Sequence, residues 1–176
     1  KAPGEEKQPS QENIPPLEKG AWTVPKGKLY CESYNKYYWH TSEFNKKGKK
    51  VKWANNAKYD EIRTELKLEY GLTDGLNALL YLPYKQAHWR DDNGKHTTRA
   101  LVDIWTGIKY QLFRQPFAFS LQPRVKIPTN YNENAVPSLG KRQVDAEVKC
   151  LLAKSLWSYK GYTKFELGFR YRAEEP

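Results

Sequence analysis

The chain has 176 residues and carries 30 Lys and Arg against 20 Asp and Glu, giving a net charge of +10, together with 13 Tyr, 6 Trp and 6 Phe. That length supports one domain with its own core. No run of about 18 apolar residues occurs, which excludes a membrane-spanning helix but not a spanning β-barrel, whose alternating residues dilute hydropathy.

The positive charge fits a phosphate-rich partner, either nucleic acid or anionic head groups. The sequence lacks Met, and removal of an export signal is the economical expectation. Cys31 and Cys150 lie far apart with no metal-binding spacing, so a disulfide and two separate thiols both stay open.

Lys1–Gly20 contains four Pro and little that is apolar, so a disordered or extended tail is expected before a domain over residues 21–176. Lys28–Trp39 (KLYCESYNKYYW) is a first, irregular strand. Trp53–Glu61 has a poor pattern, and a short helix stays open there. Ile62–Tyr70 alternates without exception: Ile62, Thr64, Leu66, Leu68 and Tyr70 oppose Arg63, Glu65, Lys67 and Glu69. Period two outweighs the helix propensity of its Glu, Leu and Lys. After the turn GLTDG, Leu76–Tyr84 keeps Leu76, Ala78, Leu80, Leu82 and Tyr84 on one face. Arg99–Phe113 sets Ala100, Val102, Ile104, Ile108, Tyr110 and Leu112 against Arg99, Asp103, Lys109 and Gln111. Phe117–Ile127 opposes Phe119, Leu121, Val125 and Ile127 to Ser120, Gln122, Arg124 and Lys126. Gln143–Leu152 opposes Val144, Ala146, Val148, Cys150 and Leu152 to Gln143, Asp145, Glu147 and Lys149. Thr163–Arg172 opposes Phe165, Leu167, Phe169 and Tyr171 to Lys164, Glu166, Arg170 and Arg172.

Seven two-faced segments without a 3.6 period predict an antiparallel all-β protein. The connections alternate: long at His40–Glu61, Lys85–Thr98 and Pro128–Lys141, short at Gly71–Gly75, Phe113–Pro116 and Lys154–Gly161. Such alternation characterises up-and-down transmembrane barrels, with short turns on one side of the bilayer and long loops on the other. Tyr and Trp near segment ends fit an interfacial girdle. The same alternation suits an exported soluble β-sandwich or small barrel that binds a ligand, with the apolar faces as its core; this is the alternative.

In the barrel reading the lumen-facing residues are Arg63, Glu65, Lys67, Glu69, Arg99, Asp103, Lys109, Arg124, Lys126, Asp145, Glu147, Lys149, Lys164, Glu166, Arg170 and Arg172. The lipid-facing residues include Leu66, Leu68, Leu80, Ile104, Phe119, Val148, Phe165 and Phe169. Ten basic against six acidic lumen residues would favour anions modestly or close the lumen with ion pairs. Neither GxxxxGK nor GxGxxG occurs. His88, Asp91, Asp92 and His96 read as solvated loop residues, and Ser42 beside His40 has no flanking catalytic pattern. No catalysis, cofactor or metal is therefore expected. Aromatics that share a face with Leu argue against a nucleic-acid-binding sheet.

The run W-x-x-P-x-G-K-x-Y (Trp22–Tyr30), LEYGLTDGL (Leu68–Leu76), D-x-x-x-G-x-K-Y-x-L (Asp103–Leu112), Ile127-Pro128-Thr129 followed by Leu139-Gly140 and Asp145, and L-G-F-R-Y-R (Leu167–Arg172) resemble a family of outer-membrane β-barrels assigned to phenol-degradation transport in the meta pathway. The resemblance spans Trp22–Arg172. It implies a porin-like barrel in the outer membrane of a Gram-negative bacterium, a passive route for small organic solutes, and contact with membrane lipid and lipopolysaccharide. Seven or eight strands are fewer than that family's barrels hold, and an open edge in hydrocarbon is not viable. Further strands are expected from a continuation of the chain, from another copy, or from segments such as Lys49–Ala54.

Overall fold

In a computed structural model, residues 20–156 and 161–173 are described; the predicted tail lies almost wholly outside them. Ten strands form: β1 (Leu29–His40), β2 (Ser42–Phe44), β3 (Lys50–Lys52), β4 (Lys58–Thr73), β5 (Leu76–Asp91), β6 (Gly94–Leu101), β7 (Ile104–Phe113), β8 (Ala118–Ile127), β9 (Asp145–Leu156) and β10 (Gly161–Arg172). Among the described residues there is no helix, and Trp53–Glu61 becomes a turn leading into β4. β2 and β3 pair as a separate hairpin. β3 falls within the sequence-predicted extra segment Lys49–Ala54 but does not join the main sheet.

All other strands make one antiparallel sheet, ordered β1-β4-β5-β7-β8-β9-β10, with β6 also on β5, that curls into a half-barrel. Because neighbours along this path alternate in direction, the two rim strands β1 and β10 run the same way. The expected long loop Lys85–Thr98 is instead an extension of the sheet, a β5–β6 hairpin turning at Asp92-Asn93. Its turn is held by Asp91 Oδ1, which accepts from the Asn93 and Gly94 amides at 2.9 and 3.1 Å. Alternation carries both β5 and β6 through this region, but polar residues at the hairpin tip read as loop.

Burial follows an inverted pattern. The concave side buries polar groups: Glu65 is 2% exposed, Asn77 and Ser120 are fully buried, and Lys109, Asp145 and Glu147 are also buried. The convex side exposes large apolar residues, Phe169 at 76% and Leu167 at 63% among them. A water-soluble sheet puts its apolar face on the core.

Residues 20–28 run into the concavity at its short-turn end as a strap. Ala21 and Val24 are buried, and Ala21 packs with Ala118, Leu151 and Ala153. Its carbonyl accepts from Gln111 Nε2 at 3.1 Å and from Ser120 Oγ. Thr23 Oγ1 lies 2.7 Å from the Asp74 carbonyl and 2.9 Å from Gln111 Oε1. Small inward residues on β8 and β9 make the room. Gly71 does the same on β4, since a Cβ there would lie 2.2 Å from the Pro25 carbonyl oxygen. Gly71→Val should therefore cost about 1–3 kcal/mol by overpacking and raise amide exchange at residues 21–25. Gly75→Ala, whose Cβ would meet its nearest neighbour at 3.7 Å, should change neither; chemical unfolding with exchange measurements tests both.

Candidate functional site

The concave face gathers many of the charged side chains of the described strands. Period two brings the polar residues of each strand to this face, and the antiparallel register sets them in rows. One row runs Lys126, Asp145, Arg172 across β8, β9 and β10; the next runs Arg124, Glu147, Arg170. Ion pairs follow these rows and their diagonals. Lys126 Nζ lies 3.3 Å from Asp103 and 3.0 Å from Asp145. Glu147 joins Arg124 and, at 3.1 Å, Arg170. On the other wing Glu65 joins Lys36 at 2.7 Å and Arg63 at 3.8 Å, while Glu61 joins Arg63 at 2.7 Å.

The most enclosed pair is Lys109–Glu69 at 2.6 Å, with Asn77 Nδ2 donating to the same carboxylate oxygen. Both charges are buried, so each depends on the other. Trp105 stands at mid-face with the Arg124 guanidinium 4.3 Å and the Arg170 guanidinium 4.9 Å from its ring. Lys67 points its ammonium at the Tyr34 ring, 4.4 Å from the centroid, and donates to the Tyr34 hydroxyl at 3.2 Å. Tyr34, Lys36, Lys67, Trp105, Arg124 and Lys164 help to line a cavity of about 530 Å³, with the strap's Gly20 at one end.

The Pro128–Val144 connection covers the opposite end. Tyr131 and Leu139 bury against Ala87 and Val102. The Tyr131 hydroxyl donates to Asp103 Oδ1 at 2.9 Å and accepts from the Arg142 amide at 3.0 Å. Lys85 Nζ donates to the Leu139 carbonyl at 2.9 Å. Burial, and then the hydrogen bond to the Asp103 carboxylate, push the Tyr131 phenol up to about 12.

Of the sixteen residues expected in a lumen, fourteen occupy strand positions on the concave face: Arg63, Glu65, Lys67, Glu69, Lys109, Arg124, Lys126, Asp145, Glu147, Lys149, Lys164, Glu166, Arg170 and Arg172. Arg172 is exposed and Lys149 contacts Glu166 at 3.5 Å. Asp103 sits in the break between β6 and β7 and reaches Lys126. Arg99 departs from the expected parity. Tyr84 pairs with Leu101 but Tyr81 with Trp105, so three residues of one chain oppose two of β5. This extra residue flips the alternation. Ala100 thus faces inward opposite Lys85, and Arg99 lies exposed on the convex face opposite Gln86.

Leu66, Leu68, Leu80, Ile104, Phe119, Val148, Phe165 and Phe169 lie on the convex face, the first five half-buried and the last three exposed. His88 and His96 stand on β5 and β6, with His88 bonded to Gln86 and Thr97. Cys31 and Cys150, on β1 and β9, are free thiols. The strap, Asn77, and the aromatic lining of Tyr34, Tyr81 and Trp105 escaped sequence reasoning; the small inward residues Ala118, Ser120 and Ala153 were the available cue.

Comparison with protein-family models, curated proteins and solved structures finds no match.

Two outcomes test this geometry. Glu69→Ala should lower stability by about 3–5 kcal/mol, because it strands the buried Lys109 charge; combining it with Lys109→Leu should restore most of the loss, as measured by denaturant unfolding. The Tyr131 latch holds its proton more tightly when folded. Its contribution is complete below the ordinary phenol value of about 10 and is lost as pH rises through about 12. Phenolate absorbance should include that late step, and Tyr131→Phe should lower its amplitude by one phenol.

Proposed function

We propose that the chain builds the wall of an outer-membrane β-barrel in a Gram-negative bacterium, porin-like and related to the phenol-degradation transport family, and that it passes small organic solutes without catalysing a reaction. The observation that carries this reading is the inverted burial: ion-paired charges packed on the concave face and large apolar side chains exposed on the convex one. Bilayer hydrocarbon makes that convex face favourable, whereas in water each such residue forgoes about 1.5–3 kcal/mol of burial. Strand length supports the same reading, since about 9–11 residues span a bilayer and β7–β10 have 10 to 12. β4 and β5, with 16 residues each, would stand clear of the membrane at the long-connection end.

A bilayer also requires closure, because an unpaired strand edge in hydrocarbon is costly. The rims β1 and β10 run in the same direction, so antiparallel closure takes an odd number of further strands, from another copy or from sequence beyond this sheet. The strap and the Pro128–Val144 connection narrow the two ends of the concavity, and solute would pass between them. Small organic solutes fit the 530 Å³ space.

Extraction from membranes should require detergent, and the folded form should show heat-modifiable gel mobility; clean solubility without detergent would sink the membrane reading. In planar bilayers, removal of residues 20–25 should raise single-channel conductance. Equal, absent conductance with and without the strap would leave a scaffold rather than a path.

A further inference from the structure

Above the apolar belt of the convex face, at the long-connection end, the register places basic residues side by side. Lys58 pairs with Arg90 and Arg90 pairs with Lys95, one continuous row across β4, β5 and β6. Two rows below, Arg99 stands beside Gln86 and next to Tyr84, the exposed aromatic that tops the belt. All four cations are exposed, and none joins an ion pair among the described residues. Asp60 is the one carboxylate between these rows on this face, opposite His88. Like charges directly opposite one another in a sheet repel, so the row is unfavourable on its own and becomes favourable beside a dense negative charge.

Two further features mark the same end. The β2–β3 hairpin carries the exposed Lys46, Lys47, Lys49, Lys50 and Lys52, and its turn is fixed by Asn45 Oδ1, which accepts from the Lys47 and Lys49 amides at 2.9 and 3.0 Å. Its base is tied down by Trp53 packing on Trp89, with ring centroids 5.0 Å apart. Phe44, on the same hairpin, is 74% exposed. Cations just beyond an aromatic rim, with an apolar belt beneath, match the order of layers in a membrane interface, where hydrocarbon gives way to phosphate.

We propose that Lys58, Arg90, Lys95 and Arg99 form a docking site for the phosphates of anionic lipid head groups, which anchors this end of the barrel at a fixed depth. The site rests on the membrane reading of the convex face. It gives Arg99, which the register flip removes from the lumen, a role on the lipid side. Nucleic acid is the lesser candidate, because the exposed aromatics of these rows, Tyr37 and Trp39, stand on the β1 rim, two or three strands from Arg90, Lys95 and Arg99, with Ile62, Asp60, Gln86 and His88 between.

The test uses the full chain in neutral detergent, titrated with short-chain phosphatidic acid, short-chain phosphatidylcholine, inorganic phosphate and a single-stranded DNA oligomer. Phosphatidic acid should bind and phosphatidylcholine should not. The K58Q/R90Q/K95Q/R99Q variant should lose at least about tenfold in affinity, given the contribution of each basic residue near an anionic lipid surface. The charge-keeping K58R/K95R variant should bind as the parent does. Removing a repelling row should not lower the unfolding midpoint, and should the quadruple variant fail to fold, R99Q alone should still weaken binding severalfold. Unchanged affinity in the glutamine variants, equal binding of the two lipids, or full competition by inorganic phosphate overturns the proposal; tighter binding of the DNA through the same residues overturns it in favour of nucleic acid. Flotation with phosphatidylcholine vesicles separates the two failures. A chain that floats but does not discriminate loses only this site, whereas a chain that does not float loses the membrane reading itself.

Discussion

The fold depends on the cross-strand ionic ladder of the concave face. Isolated charges of this kind are costly to bury, and a single truncation strands a partner. Here the register sets them side by side: Arg124, Glu147 and Arg170 share one row, as do Lys126, Asp145 and Arg172. The sheet curls around these rows, and burial of Lys109, Glu69, Asp145 and Glu147 is possible because each carboxylate finds a cation and each cation finds a carboxylate. Large apolar residues such as Leu167 and Phe169 are left outside. Such residues add stability only where something apolar covers them.

The two ends of the concavity are narrowed by different means. At the short-turn end, a strap without regular structure is held by side chains acting as sheet partners: Gln111 and Ser120 both donate to the Ala21 carbonyl. At the other end, Tyr131 and Leu139 carry an apolar plug that is locked by Asp103, Lys85 and the Arg142 amide. Lys126 ties that lock to the ladder, since it touches both Asp103 and Asp145. Loosening the loop therefore disturbs charges that hold β8 to β9, and a change in the ladder is felt at the loop.

Alternation in the sequence is enough to read the all-β class, the strands and, for Glu65, Lys67, Arg124 or Glu147, which face each residue takes. It is legible because a strand has a period of two and a buried face tolerates no slip. Three features were not legible, each for a physical reason. The inserted residue between Leu101 and Ile104 leaves no gap in the hydrophobic pattern, since Ala100, Val102 and Ile104 are all apolar; the pattern alone therefore puts Arg99 with Asp103 and Lys109, and the register turns it to the other face. Hairpin extension past Tyr84 was hidden by polar residues that read as loop. The strap carries no period at all, and its place is written only in the small residues that receive it, Gly71, Ala118, Ser120 and Ala153. Which face meets water is not a local property of the alternation: a core-facing and a lipid-facing apolar row look the same in sequence.

That last question is the central one, and it is answered most directly by nitroxide labels placed one at a time at Leu66, Phe165 and Phe169, and at Lys67 and Lys164 for comparison, in a chain freed of Cys31 and Cys150 and reconstituted into vesicles. If the convex face meets lipid, the first three labels collide readily with oxygen and hardly with a water-soluble paramagnetic chelate, and the last two show the reverse. Labels at Phe165 and Phe169 that respond to the chelate as freely as those at Lys67 and Lys164 would contradict the account.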